Sequence, residues 1–349
     1  TRKGKWFMKK IFILSIFVLF IVCGCGKFEI SDAKTEFKNK VNSSKGYELK
    51  GVMEIYNNDD TFKYKITVNY KKDDYYKVSM INQNNNHEQI ILKNEESVYV
   101  VTPSLNKSFK FESSWPDNSS QSYILKSLVN DLVNDENATL IEEGKNYIVT
   151  TSVNYPHNRS LVNQKLYFNK DMDLEKVIVF DENKSEKIKL TINSIDYKSK
   201  YKDDYFDLDT LIDDSTKEEE NSQNQKKETT STNTTADVDD ISYPLYVPSN
   251  TYLKSKDKID NEGSSRTILT FNGDKSFVLV EETADVSKEF EILPVSGDPL
   301  ILTNTVAALS DKSITWTANN KEYYITSNNL TANELATIAD SMGSTTVGK

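Results

Sequence analysis

The chain has 349 residues, 37% hydrophobic and 28% charged, with a formal net charge of -10; that length suits two domains, and the sign is wrong for a nucleic-acid binder, which carries a basic field. Its 2 cysteines, Cys23 and Cys25, both close the N-terminal apolar run, so the rest of the chain holds no thiol for disulfides, zinc ribbons or a cysteine nucleophile. With only His87 and His157 a histidine-rich metal centre is excluded, while carboxylate sites stay open.

The first element is an export signal. Arg2, Lys3, Lys5, Lys9 and Lys10 form a basic start, and Ile11 to Val22 is an apolar stretch. It falls short of the roughly 20 residues that a spanning helix needs, and it suits the core of a signal peptide. Val22-Cys23-Gly24-Cys25 resembles a bacterial lipobox, with small Gly24 just before Cys25. Cys25 is therefore the expected lipidated residue and mature N-terminus, and residues 1–24 the cleaved leader. Two or more acyl chains hold a protein on a membrane stably. The alternatives are an ordinary secretory signal with an incidental cysteine, and a short membrane anchor.

Residues 25–212 form the first folded region. Ile30, Ala33, Phe37 and Val41 mark one face of a helix. Strands follow. Tyr47, Leu49, Gly51, Met53 and Ile55 alternate with polar residues, and from Phe62 to Tyr70 every even position is apolar. Asn57 to Asp60 between them is turn chemistry. Further strands are expected at 74–81, 88–92, 97–102 and 108–111, then at 147–153, 164–168, 175–180 and 187–195. Short spacings imply antiparallel pairing. Between the two groups Ile124, Leu125, Leu128, Val129, Leu132 and Val133 form a second helical stripe, with Ser119, Ser120 or Ser122 as its cap.

Residues 213–240 contain no aromatic residue and no Leu, Met or Phe. Such a segment buries too little to offset its ordering entropy, so it reads as a disordered linker. The second region, residues 241–349, has hairpins at 268–280, where Asn272-Gly273 suits a type I′ turn, and at 314–326 around Asn319-Asn320. It ends in a helix with a Thr331/Glu334 capping box, a Leu330/Leu335 staple, inward Leu335, Ile338, Ala339 and Met342, and a stop at Gly343. The expected class is α+β: an antiparallel sheet wrapped around helices, plus a smaller C-terminal α+β domain.

Chemistry is scarce along this chain. His87-Glu88 opens a zincin-like motif, but Ile91 stands where the second histidine belongs. There is no Gly-x-Ser-x-Gly elbow, and no glycine loop to cradle a cofactor phosphate. Asp203-Asp204 and Asp207 to Asp209 read as solvated loop, without the spacing of an EF-hand. Asn118 and Asn137 sit in chance sequons. The densest local signature is TPSLNKSFKFESSWP, Thr102 to Pro116. Lys107, Phe109, Phe111 and Trp115 offer either a surface for an acyl chain, glycan or protein partner, or a structural corner in which Trp115 plugs the sheet.

The string ILKNEESVYVVTPSLNKSFKFESSWPDNSSQSYILKSLVNDLVND (Ile91 to Asp135), with SVNYPHNRSLVNQKLYFNKDMDLEKVIVFD (Ser152 to Asp181), resembles the sporulation and germination lipoproteins of the GerS and YdcC type. These are similar to the wider class of LolA, LolB and RseB. ILTFNGDKSFVLVEE, PVSGDPLIL and VAALSDKSITW resemble an accessory domain found after such domains. The resemblance implies a curved antiparallel half-barrel around helices, with no catalytic residues and no cofactor. It also implies a protein lipid-anchored to the outer face of the cytoplasmic membrane or to a spore membrane. Its partner would be a cell-wall enzyme of the peptidoglycan amidase type or another envelope protein. The alternatives are a lipid or lipoprotein carrier whose concave groove takes an acyl chain, and an RseB-like envelope sensor. The tether and C-terminal domain depart from the minimal GerS type and favour the longer YdcC-like group.

Overall fold

The computed structural model describes residues 27–57, 60–213, 241–261 and 264–342. The leader with Cys23 and Cys25, the linker beyond Asp213 and the expected stop at Gly343 lie outside the described residues.

Helix α1 (Ile30–Asn42) leads into a meander of six strands: β1 (Gly46–Asn57), β2 (Asp60–Lys71), β3 (Tyr75–Asn82), β4 (Glu88–Lys93), β5 (Val98–Thr102) and β6 (Lys107–Phe111). Helix α2 (Leu125–Asn134) follows. A second meander then runs through β7 (Thr139–Glu143), β8 (Asn146–Ser152), β9 (Leu161–Phe168), β10 (Leu174–Asp181) and β11 (Glu186–Asp196). β11 returns to pair with β1, which joins the two meanders into one sheet.

Alternation decides which face is covered. Tyr64, Ile66, Val68 and Tyr70 of β2 are buried, while Lys63 and Lys65 are not. On this inner face lie α1, through Ala33, Phe37 and Val41, and α2, through Leu125, Leu128 and Leu132. Phe37 meets Phe168 edge to face at 5.0 Å. The α2 stripe holds, but none of the three serines caps it. Ile124 is the N-cap and makes no side-chain cap bond. Ser120 turns instead to Asp131, and Ser127 Oγ accepts the Gln121 N–H at 2.8 Å.

β4 and β5 are buried on both faces, which explains their unbroken apolar runs. Ile91 and Val100 face the helices. Ile90, Leu92, Tyr99 and Val101 face outward and are covered by Phe206, Leu208 and Leu211. Phe206 ends a 3-10 turn (Asp203–Phe206), and residues 208–213 are helical.

The second region contributes β12 (Thr251–Asn261), β13 (Ser264–Gly273), β14 (Phe277–Thr283), β15 (Glu291–Val295), β16 (Asp298–Ile301), β17 (Val306–Leu309), β18 (Ser313–Ala318), β19 (Lys321–Thr326) and α3 (Ala332–Ser341). Seven of these strands form an antiparallel sheet in the order β12-β13-β14-β19-β18-β17-β16. α3 covers one face through Leu335, Ile338 and Ala339. Its capping box is present: the Thr331 hydroxyl accepts the Glu334 N–H and the Glu334 carboxylate accepts the Thr331 N–H. Asn319 and Asn320 both take positive φ, as a two-residue primed turn requires. The Asn272-Gly273 turn is longer than expected, because the last β13–β14 pair is Phe271 with Phe277. Gly273 (φ +124°) serves another contact: a Cβ there would sit 1.9 Å from the Asn250 carbonyl oxygen.

Two strands tie the regions together. β15 leaves its own sheet and pairs with β6, making the first sheet twelve-stranded; this pairing is parallel in an otherwise antiparallel sheet. β17 is buried throughout. Val306 and Ala308 belong to the first region's core, while Ala307 and Leu309 belong to the second's. The Gln89 side chain crosses the seam, with its Oε1 accepting from Val306 N–H at 2.7 Å and Thr305 Oγ1 at 2.9 Å.

Candidate functional site

The helices and the second region do not cover the whole inner face. Between them a cleft of about 640 Å³ remains, within the usual range for a ligand site. Its floor is apolar: Met53 and Ile55 from the far end of β1, Ile188 from β11 and Leu161 from β9. One wall is the pair of segments 118–123 and 155–160. The opposite wall is β16 with one side of α3, where Asn333, Ala336, Thr337 and Asp340 recur at helical spacing. Leu245 (63% exposed) and Tyr246 (42% exposed) stand at the mouth, a few residues after the linker.

The second region's wall is braced by hydrogen bonds. Tyr64 OH donates to Thr303 O at 2.9 Å, and Asp340 accepts from Thr303 N–H at 2.6 Å and from its hydroxyl at 2.5 Å. Burial raises the Asp340 carboxyl pKa, and the Thr303 bonds partly offset this. The loop wall is braced from behind. Asp131 of α2 accepts from Ser120 Oγ and Gln164 Nε2, each at 2.9 Å. Ser120 N–H donates to Asn154 O, and Ser120 Oγ accepts Asn154 N–H, both at 2.8 Å. Burial pushes the Asp131 carboxyl up to about 6.

Three polar groups in the loop wall are incompletely paired. Asn118 Oδ1, Tyr123 OH and Tyr155 OH are buried, with no donor for the amide oxygen and no acceptor for either phenolic proton. Burial raises both phenol pKa values. Sequence reasoning missed all three as site residues. Asn118 was visible only as a sequon, and nothing local distinguishes the two tyrosines.

The four residues singled out in the 102–116 signature lie elsewhere. Phe111 and Trp115 are core side chains, Trp115 packing edge-on to Tyr76 at 5.8 Å. Phe109 packs partly against the same core, and Lys107 is ion-paired to Glu322 of the second region. The exposed patch is thus replaced by a structural corner, with β15 laid along β6. His87 sits beside Ser104, with Nδ1 3.4 Å from its hydroxyl. Among the described residues no group of three or more His, Cys, Asp or Glu is gathered as metal ligands are. Nor is any helix there long and apolar enough to cross a membrane. Cys25 lies outside the described residues.

A family model described as "Sporulation protein YdcC-like" matches residues 8–206. The chain is 32% identical over 339 residues to "Sporulation protein YdcC" of Bacillus subtilis (strain 168), covering 96% of this chain and 97% of that protein. The chain belongs to the YdcC-like sporulation protein family. The match extends across both regions, so the second region is part of what the family member in Bacillus subtilis shares. Among solved structures, the chain is similar to the Pseudomonas aeruginosa MucA/MucB complex structure (9% identity, 89% of this chain, 97% of that chain, TM-score 0.33). It is also similar to the Clostridioides difficile structure of the CwlD amidase in complex with the GerS lipoprotein (16% identity, 51% of this chain, 99% of that chain, TM-score 0.30). At these values the likeness says nothing about what this chain binds.

Proposed function

We propose that this YdcC-like chain is an exported sporulation lipoprotein, tethered through Cys25 to the outer face of a membrane, that works without catalysis by holding an envelope protein. A cell-wall enzyme of the amidase type is the partner class that the family resemblance favours. The observation that carries the reading is the cleft: an apolar floor with polar walls, built from both regions. Its walls are braced by the hydrogen bonds to Asp340 on one side and Asp131 on the other, as a preorganised binding site requires.

The test is a pull-down from sporulating cells, with membrane fractionation, using the wild type, Cys25→Ala and Thr337→Trp. Thr337 is exposed and lines the cleft, so a tryptophan there fills the mouth without entering a core. Cys25→Ala is expected to leave the membrane and keep its partner. Thr337→Trp is expected to stay on the membrane and lose it. Absence of any partner with the wild type, or membrane retention of Cys25→Ala, would defeat the proposal.

A further inference from the structure

β16 ends the second sheet. It pairs with β17 on one side and with no described strand on the other, and all four of its residues line the cleft. The phase of the ladder is set next door, where Leu302 N–H donates to Thr305 O at 2.8 Å. Antiparallel pairs alternate between bonded and non-bonded, so Asp298 and Leu300 direct their main-chain groups to β17. Pro299 and Ile301 direct theirs away from it. That outer edge therefore offers the Ile301 N–H, the Ile301 carbonyl and the Pro299 carbonyl. Proline has no N–H to lose there, which is why it is tolerated. It also keeps the edge too short to recruit another sheet.

An occupant that pairs with this edge must bring N–H and C=O groups along one line. An acyl chain brings neither at depth, whereas an extended peptide brings both at every residue. The charge at the rim is specific as well. Arg159, exposed on the 155–160 wall, makes no ion pair with a described residue, and His157 stands beside it. In a chain of net charge -10, Arg159 is a point of positive charge at the rim, on the wall opposite Asp298 and Asp340.

We infer that the cleft binds an extended polypeptide segment, added to the 7-stranded sheet as a strand alongside β16, with apolar side chains on Met53, Ile55 and Ile188 and an acidic residue at Arg159. This rests on the binding role proposed above and names the chemistry of the partner at that site.

The mature full-length chain is panned against a phage-displayed library of random peptides, with the Thr337→Trp chain as counter-selection. Recovered peptides are synthesised and titrated by fluorescence polarisation. Ile301→Val keeps the main-chain donor and is expected to bind as the wild type does. Ile301→Pro removes that donor and is expected to weaken binding about tenfold. Arg159→Glu is expected to weaken acid-bearing peptides about tenfold, with recovery when the acid is replaced by lysine. Peptides N-methylated at successive positions supply an independent reading that does not depend on Ile301→Pro folding. Loss of binding at alternate positions supports strand addition. Unchanged binding of methylated peptides, no enrichment over the counter-selection, or uptake of dansylundecanoic acid without any recovered peptide overturns it. A cellular partner still held by Thr337→Trp would leave the tethered-binder role standing and remove the cleft as its site.

Discussion

The first region builds its core from the inside of one sheet and closes it with two helices of its own. The second has one helix for its sheet and leaves the other side of β17 to its neighbour. The first region is thus nearly self-sufficient, whereas the second completes its burial only by leaning on the first. A sheet covered on a single face has to find a second layer. Here that layer is the uncovered end of the other region's inner face, and the cleft is what the imperfect fit leaves over.

That asymmetry can be broken experimentally. The largest expected effects come from emptying each core. Phe37→Ala in the first region should cost about 3–5 kcal/mol and Leu335→Ala in the second about 2–5 kcal/mol. Both are fully buried. If β17 locks the regions into one unit, calorimetry of either variant shows a single displaced transition. A second transition moved by Leu335→Ala alone would mean the regions unfold separately. Gln89→Ala comes next. It strands the buried Val306 N–H and should cost about 1–3 kcal/mol. Proteolysis within the second region should rise more than within the first, and equal protection of both would argue against the dependence. Thr331→Ala removes the α3 cap for about 1 kcal/mol, read as a small drop in urea midpoint without change in slope.

The smallest effect is a pH dependence. The Asp131 carboxyl is raised to about 6 in the folded chain, so the fold holds that proton more tightly than the unfolded chain does. Its contribution is fully favourable below the ordinary carboxylate range and declines as pH rises through about 6. Asp131→Asn should flatten this part of the stability profile between about pH 4 and 6, raising stability modestly above it. A profile unchanged by the substitution would place the titration elsewhere.

Much of this architecture was legible from residue order. The alternation from Phe62 to Tyr70, the helical stripes at 30–41 and 124–133 and the Thr331/Glu334 box each depend on neighbours close along the chain, and each took the form expected. What escaped depended on distant contacts. β15 and β16 carry Pro294 and Pro299, which argue against a strand until one knows that both lie on edges. β17 is two small alanines between Val306 and Leu309, unreadable as a strand without the two layers that bury it. The cleft gathers residues from β1, β11, two loops and α3, so no local pattern announces it. The 102–116 signature was dense because it forms a crowded corner, where Trp115 and Phe111 had to be large to fill the end of the sheet.

The parallel strand β15 has a consequence for how copies of this protein tolerate crowding. Glu291 N–H donates inward to Asn106 O, so alternate residues, Ile292 and Pro294, turn outward. Were β6 the margin, its whole ladder would invite strand-to-strand stacking between molecules. With β15 in place, the outward donors shrink to that of Ile292, since proline supplies none. The short excursion from the second region is thereby a guard against self-association as much as a clasp.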